Sequence, residues 1–397
     1  MAIVQELPIY LDHAATTPVD AAVAAAMAEC LASPYVFANA SSTHVAGRRS
    51  AGAIEKAREQ LATLLNARPH EVIFTSGATE SNNLAIFGAA RHRAHRGRHL
   101  VTMTTEHKAV TECFAALQRE GFEVSWLDPD TSGRLDPERL ASVLRDDTQL
   151  VSIMHVNNET GVVQDIDSIG AVCRARGIFY HCDAAQSAGK LAIDLKKLPV
   201  DLLSLTAHKF HGPQGVGALY VADRPGCRLA PLIHGGPQER RMRPGTQAVH
   251  QIIGMGLAAE LAGARQADDR VNHRRLRERL WQGIRDLPDI RRNGAVQHTV
   301  PGILNVSAGG VDGESLMLAL EPLCVAGGAA CNSQTGESSH VLRAMGCDDA
   351  SAQSAIRFSF GHGTSDAEID SATDRYRRAV QHLKALSPVG VAAGSRA

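Results

Sequence analysis

Neither positive nor negative charge is in surplus in this sequence. Lys and Arg together number 41 and Asp and Glu together number 42, which gives a formal net charge of -1. This balance argues against binding that depends on bulk charge, as with nucleic acids, anionic membrane surfaces and other polyanions. A small polar substrate remains compatible with it.

Long apolar runs and clustered cysteines are also missing. No window approaches the roughly 20 apolar residues of a membrane-spanning helix, and residues 1–18 lack the basic segment of a signal peptide. The eight cysteines are scattered and none forms a CxxC pair, so we expect neither a disulfide framework nor a metal site. Scattered thiols suit a reducing compartment, which favours a cytoplasmic protein.

The sequence does contain a regular alternation of short apolar runs and helical segments. After a short strand predicted at 2–11, we predict strands at 71–75, 99–104, 123–127, 150–155, 178–183, 202–206 and 217–221, with helices between most of them. Alternation at these lengths is typical of an α/β domain with a mainly parallel sheet flanked by helices.

The pattern changes beyond this region. Residues 245–290 form one long helical stretch, and strands at 302–307 and 355–360 with a final helix at 365–386 indicate a smaller α+β unit. A chain of 397 residues is long enough for two or three domains. The tail at 387–397 is small and polar, and we predict that it is disordered.

Several polar residues follow predicted strands. His107, Asn158, Asp183 and Lys209 lie at or just beyond the carboxyl ends of such strands. Ligands of open α/β sheets bind in the crevice outside those ends, so we expect these side chains to share one site.

Lys209 lies in the segment SLTAHKFHGPQGVG at 204–217, where an apolar run leads into a glycine-rich loop. Partial desolvation there would lower the pKa of the lysine and favour the reactive amine, as in lysines that form Schiff bases. An ordinary surface lysine is the alternative.

Two other segments suit a phosphorylated, cationic cofactor. The strand at 71–75 runs directly into SGAT at 76–79 and a helix, an arrangement that binds phosphate, although simple helix capping has the same pattern. Asp183 closes an apolar strand, where a buried carboxylate needs a cation such as a protonated pyridine nitrogen, unless it only caps a helix. Asp183 and Lys209 are 26 residues apart, which leaves room for one helix and one strand.

These segments and other short motifs resemble those of the cysteine desulfurases. The motifs are YLDHAATTP at 10–18, TEHK at 105–108, NNE at 157–159, DAAQ at 183–186, the segment at 204–217, RPGT at 243–246 and VLR at 341–343. The resemblance spans nearly the whole chain. It implies a fold-type I, pyridoxal-phosphate-dependent enzyme of the class V aminotransferase group that converts L-cysteine to L-alanine. It further implies a large cofactor-binding domain at 17–262 and a small domain formed by 1–16 and 263–386.

The resemblance also implies how the cofactor is held. Lys209 would form the Schiff base, Asp183 would pair with the pyridine nitrogen, and His107 would stack on the ring. Gln186 would bond the phenolic oxygen of the cofactor. The phosphate would be held by residues near the strand ends and by one residue from the second subunit of a homodimer: Ala78, Thr79, Thr206 and His208, with Thr246 from the partner.

Arg357 is flanked by apolar residues at the predicted strand 355–360. A planar, bidentate donor suits a carboxylate, while a surface salt bridge is the plain alternative. By resemblance, Arg357 binds the α-carboxylate of the substrate and Asn158 helps to orient it.

Cys331 lies in GGAACNS at 327–333, a run of small residues that predicts a mobile, exposed loop. We expect most of the other cysteines to be inert core. By resemblance, Lys209 removes the α-proton of the substrate, Cys331 takes the sulfur as a persulfide, and His107 shuttles a proton. The loop would then deliver the sulfur to an acceptor protein.

The match is not complete. Asn332 follows the cysteine where the family usually has Thr, and His362 stands where the most similar housekeeping enzymes have Arg. No match to their C-terminal scaffold-docking extension is seen, so the acceptor stays open between iron–sulfur, thionucleoside and DNA phosphorothioate assembly. Selenocysteine lysis and transamination are alternative reactions. A non-catalytic sulfur- or metal-binding scaffold is an alternative of another class, built on His181, Cys182, Cys324 and Cys331.

Overall fold

The computed structural model describes residues 8–327 and 338–386. The strands in chain order are β1 (Val72–Thr75), β2 (His99–Met103), β3 (Glu123–Leu127), β4 (Thr148–Ser152), β5 (Phe179–Asp183), β6 (Leu202–Thr206), β7 (Gly217–Val221), β8 (Ile290–Arg292), β9 (Ile303–Ala308), β10 (Ala326–Gly327) and β11 (Ile356–Ser359). The helices are α1 (Ala21–Ala32), α2 (Val45–Leu65), α3 (Ala78–His92), α4 (Lys108–Arg119), α5 (Pro137–Val143), α6 (Ile166–Ala175), α7 (Val249–Ile284), α8 (Gly313–Leu320), α9 (His340–Ala344), α10 (Asp349–Gln353) and α11 (Asp366–Leu386).

A seven-stranded sheet in the order β1-β7-β6-β5-β4-β2-β3 forms the larger part of the fold. Strands β2 to β6 run parallel, whereas β7 is antiparallel to both β6 and β1. Every residue of β4, β5, β6 and β7 is buried, as expected for strands covered by helices on both faces. The predicted α/β class with a mainly parallel sheet is confirmed.

A second, four-stranded sheet in the order β10-β11-β9-β8 is antiparallel. Helices α8 and α11 pack against each other beside this sheet, and its core includes Leu304, Phe358 and Tyr376. The larger core spans residues between Val23 and Ala259 and is separate from this smaller one. We propose the domain division at 17–262 against 1–16 and 263–386, which these two separate cores support.

Helix α7 connects the two parts. Its first half packs against α1 and α2 and its second half against α11, so Ile252 and Met255 belong to the larger core, and Leu276 and Leu280 to the smaller one. With 36 residues the helix is about 54 Å long, at 1.5 Å of rise per residue. No helix in the described ranges is long and apolar enough to span a membrane.

The N-terminal strand predicted at 2–11 is wrong over the part that the structure describes. Residues 1–7 lie outside the described ranges, and Tyr10 and Asp12 form only single bridges, with Cys324 and Ser359. These bridges hold the segment on the edge of the smaller sheet, which places residues 10–16 between the two parts of the molecule. The tail at 387–397 lies outside the described residues as well.

Candidate active site

The carboxyl ends of β5 and β6 lie side by side and place three of the predicted residues together. Asp183 is the last residue of β5, and it pairs in register with Ser204 of the parallel strand β6. Thr206 ends β6, and Lys209 follows within one turn of 3₁₀ helix. The crevice expected at these strand ends is therefore where the structure brings Asp183, Thr206 and Lys209.

Asp183 is a buried carboxylate, with 6% of its surface exposed. Its Oδ2 accepts a hydrogen bond of 2.7 Å from Asn82 Nδ2, and its Oδ1 accepts one of 2.9 Å from the Ala185 amide. Within the described ranges no Lys, Arg or His forms a salt bridge with it. Because a buried charge is costly without a counter-charge, the site calls for a cation from a bound molecule.

Lys209 reaches across to the segment that precedes α1. Its Nζ donates hydrogen bonds to the carbonyl oxygens of Ala14 and Ala15, at 2.5 and 2.7 Å. The amine is therefore held between the end of the large sheet and residues 10–16.

The start of α3 forms a cradle next to Thr206. Gly77 precedes the helix and supplies no side-chain cap, so first-turn amide groups, including those of Ala78 and Thr79, face outward for an anion. A Cβ atom on Gly217 would lie 2.6 Å from Gly77 Cα, so only glycine lets these two backbones meet. Thr206 Oγ1 lies 3.8 Å from the place that a Cβ on Gly77 would occupy, which puts a hydroxyl beside the helix N-terminus.

His208 directly precedes Lys209 in the 3₁₀ turn that follows β6. Its Nδ1 is 3.1 Å from Thr16 Oγ1. Burial, reinforced by the positive charges of Lys209 and Lys190, lowers the pKa of His208 to about 4. The ring is therefore neutral near pH 7 and can accept one hydrogen bond and donate another.

His107 caps the N-terminus of α4 and is solvent-accessible. Its Nδ1 accepts a hydrogen bond of 3.1 Å from the Ala109 amide. The protein around the ring displaces water and lowers the pKa of His107, a shift that Asp183 opposes and Lys209 reinforces. In its neutral form the ring therefore carries its proton on Nε2.

Gln186 is buried one turn beyond Asp183. Its Nε2 donates to the Ala14 carbonyl at 2.7 Å, and its Oε1 accepts from Lys190 Nζ at 2.8 Å. The Ala14 carbonyl is thus shared by Gln186 and Lys209.

Arg357, on β11, reaches the same region from the smaller sheet. Its Nη2 bonds to Asp12 Oδ1 at 2.7 Å and its Nη1 to the Asn158 carbonyl at 2.8 Å. Its Nε is buried and has no partner in the described residues. The guanidinium is oriented by two protein groups while a donor remains for a carboxylate.

Two predicted residues are not part of this cluster. Thr246 is exposed on the segment before α7, three residues after Arg243, whose Nε bonds to Glu80 Oε1 at 3.0 Å. Cys331 lies outside the described residues. Beyond that gap, Ser339 Oγ bonds to Glu159 Oε2 and His340 Nε2 lies 3.1 Å from the Glu106 carbonyl, so the chain returns next to His107.

Comparisons with known proteins agree with this geometry. The aminotransferase class-V family model matches residues 9–371. The cysteine desulfurase IscS of Proteus mirabilis (strain HI4320) is 52% identical over 385 residues, which cover 97% of this chain and 95% of that protein. The chain belongs to the cysteine desulfurase family. The enzyme is accordingly a pyridoxal-phosphate-dependent cysteine desulfurase.

Solved structures share its fold. A NifS-like protein is 35% identical and superposes with a TM-score of 0.88 over 95% of this chain and 100% of that one. SspA, whose structure is a complex with cysteine, is 37% identical with a TM-score of 0.78 over 88% of this chain and 98% of that one. The desulfurase therefore has the fold-type I architecture that the motifs predict.

The residues of the crevice fit pyridoxal phosphate. The carboxylate of Asp183 lacks a cationic partner in the described residues, which suits a protonated pyridine nitrogen. The uncapped start of α3 suits the phosphate, and Lys209, which follows β6, supplies an amine.

Several side chains of this crevice were not predicted from the sequence. Asn82 holds Asp183, Asp12 orients Arg357, and Lys190 holds Gln186. Asp12 could have been found, because it lies within the motif at 10–18. Asn82 and Lys190 carry no signal in one sequence, since a polar residue on a helix or after a turn is ordinary.

The scaffold alternative finds no support among the described residues. His181 is fully buried on β5, where Ser152 Oγ and Ser204 Oγ lie 2.8 and 2.9 Å from its ring nitrogens. No group of three or more His, Cys, Asp or Glu in the described ranges could hold a metal ion. Burial raises the pKa of Cys113, Cys173 and Cys227 to about 12, which agrees with inert core thiols.

Proposed function

We propose that this crevice is the catalytic site of the desulfurase and that Lys209, His107 and Cys331 act on L-cysteine within it. The observation that carries the proposal is the buried Asp183 carboxylate, which has no counter-charge in the described residues, next to the amine of Lys209. The products are L-alanine and a persulfide on Cys331.

The geometry of the crevice and the family motifs support one assignment of the residues that hold the cofactor. Asp183 pairs with the pyridine nitrogen, Gln186 donates to the phenolic oxygen, and Lys209 is the point of covalent attachment. When bound, pyridoxal phosphate stabilises the electron pair that develops at the α-carbon of the substrate. The phosphate is held at the start of α3 and beside β6 by Ala78, Thr79, Thr206 and His208.

Arg357 binds the substrate α-carboxylate. Asp12 and the Asn158 carbonyl each use one terminal nitrogen of the guanidinium, so the plane of Arg357 is fixed before substrate arrives. The remaining donors, Nε among them, supply charge-assisted hydrogen bonds to the carboxylate. Asn158 thereby positions the substrate through Arg357.

Lys209 and His107 move protons. Lys209 would act as the base, and its amine would take the α-proton of the substrate. Neutral His107 carries its proton on Nε2, because Nδ1 accepts from the Ala109 amide, so it would donate that proton to the substrate carbon from which the sulfur is removed.

Cys331 receives the sulfur. Its thiolate attacks the substrate sulfur, the carbon–sulfur bond breaks with its electron pair left on carbon, and protonation of that carbon gives alanine. No external oxidant is needed, because the two electrons that sulfur gives up in forming the persulfide remain on the substrate carbon, which is reduced to the methyl group of alanine. Gly327, the last described residue before Cys331 in the sequence, lies on β10 one register position from the strand partner of Arg357.

The partners belong to the same proposal. The exposed Thr246 suits a homodimer in which it completes the phosphate site of the second subunit. A sulfur-acceptor protein, of an iron–sulfur or thiolation pathway, takes the persulfide sulfur. A cytoplasmic location is supported by the free state of all seven cysteines in the described residues.

The test is a comparison of the purified protein with Lys209→Ala. The natural protein should carry a visible absorption band from its bound cofactor and should release alanine and, with a reductant, sulfide from L-cysteine. Lys209→Ala should lack both the covalently bound cofactor and the activity. A variant that kept the band and full turnover would rule out the assigned role of Lys209.

A further inference from the structure

Lys190 is a partly buried lysine four residues beyond Gln186. Its Nζ donates to Gln186 Oε1 at 2.8 Å, and Gln186 Nε2 donates to the Ala14 carbonyl at 2.7 Å. The same carbonyl accepts from Lys209 Nζ at 2.5 Å. A short chain of hydrogen bonds therefore links Lys190 to the catalytic lysine.

The polarity of this chain is fixed at the Ala14 end. A peptide carbonyl can only accept a hydrogen bond, so the Gln186 amide points its nitrogen at Ala14, and its oxygen is then the acceptor for Lys190 Nζ. The amide nitrogen has two hydrogens, of which the Ala14 carbonyl takes one. The other is left for a further acceptor.

The surroundings of Lys190 are unfavourable for a charged amine. Within the described ranges it forms no salt bridge, and burial, reinforced by the positive charges of Lys209 and Arg357, lowers the pKa of Lys190 to about 7. The side chain also lines a cavity beside Lys209. An amine without a counter-ion in such surroundings costs stability, which argues for a task at this position.

We propose that Lys190 is a positioning residue of the desulfurase: it fixes the Gln186 amide so that its NH₂ group faces the phenolic oxygen of the cofactor. The inference rests on the proposed function, in which Gln186 contacts that oxygen. Without the Lys190 donor only the Ala14 carbonyl orients the amide, so the NH₂ group is held less firmly towards the phenolic oxygen and its hydrogen bond to the ionised form weakens.

The test is a pH titration of the visible absorption band of the holoenzyme. Lys190→Met should raise the midpoint of the titration by on the order of one pH unit, since one hydrogen bond to a charged group separates two protonation states by about that much. Lys190→Arg, which keeps a donor, should stay close to the natural midpoint. Lys196→Met is the matched control, because Lys196 is exposed in the same segment, and its midpoint should not change.

A double variant separates positioning from a direct charge effect. If Lys190 acts through Gln186, Lys190→Met should add nothing to the shift caused by Gln186→Ala. The inference is overturned if Lys190→Met shifts the midpoint equally in the natural protein and in the Gln186→Ala variant, or if Lys190→Met alone causes no shift. Lys190→Ala serves as the second donor-free variant if Lys190→Met does not fold. Failure of the proposed function has a different signature, namely a band that survives Lys209→Ala.

Discussion

Asn82→Ala should weaken binding of pyridoxal phosphate without unfolding the desulfurase. Asn82 is fully buried, and its Nδ2 donates to Asp183 Oδ2 at 2.7 Å. A hydrogen bond to a charged group contributes about 1.5–3 kcal/mol, and in its absence the binding energy of the cofactor must itself hold Asp183 in the orientation that pairs with the pyridine nitrogen. The dissociation constant of the cofactor should rise about ten- to a hundredfold, since 1.4 kcal/mol corresponds to a factor of about ten.

The cost to folding should be smaller than the cost to binding. Asn82 Oδ1 is buried without a partner in the described residues, so the substitution also removes an unsatisfied acceptor. The assay is equilibrium titration of the cofactor-free protein with pyridoxal phosphate, followed by visible absorption. Asn83→Ala is the control, because Asn83 is a partly exposed neighbour whose side chain donates to the Thr79 carbonyl rather than to Asp183. An Asn82→Ala dissociation constant within about twofold of the control would refute the role of Asp183 as the counter-charge.

Three further predictions follow from named contacts. Arg357→Lys should raise KM for L-cysteine about tenfold or more and leave the visible absorption band unchanged. The ammonium group of lysine is a point charge and cannot bind Asp12, the Asn158 carbonyl and a carboxylate in one plane. An unchanged KM in steady-state kinetics would contradict this prediction. Gly217→Ala should lower the midpoint of thermal unfolding by several degrees, because the new Cβ would lie 2.6 Å from backbone atoms. Gly52→Ala is the control, since Gly52 has open space around it and its midpoint should not change. Equal midpoints for the two variants would contradict this prediction. Burial lowers the pKa of His155 and His181 to about 4, below the unfolded value of about 6.5, so the unfolded state binds more protons between these values. Stability should be full above about pH 6.5 and fall towards pH 4, by up to about 3 kcal/mol for each histidine; urea unfolding that is equally difficult at pH 7 and 5 would disprove this.

Much of the large sheet could be predicted because its strands are short, apolar and fully buried. The prediction that Asp183 and Lys209 lie at or just beyond the ends of neighbouring strands agrees with the structure, in which β5 and β6 are adjacent and parallel. The antiparallel direction of β7 follows from the ten residues between β6 and β7, which are too few for a helical crossover between parallel strands.

Other features had no signal in the sequence. Strands β8 and β10 contain three and two residues, which is too short for any periodicity to show. Asn82 lies 101 residues from Asp183, and their contact exists only because α3 packs beside the sheet. The bond between Lys190 and Gln186 spans four residues, yet it requires both side chains to turn inward from an irregular segment.

The central claim is that the sulfur of L-cysteine passes to Cys331, and mass spectrometry tests it most directly. Holoenzyme mixed with one equivalent of L-cysteine, without reductant, should yield one equivalent of alanine. The tryptic peptide that contains Cys331 should gain the mass of one sulfur atom, and Cys331→Ser should form no such adduct. Extra sulfur on another cysteine of the natural protein, or full alanine release and sulfide turnover by Cys331→Ser, would contradict the account.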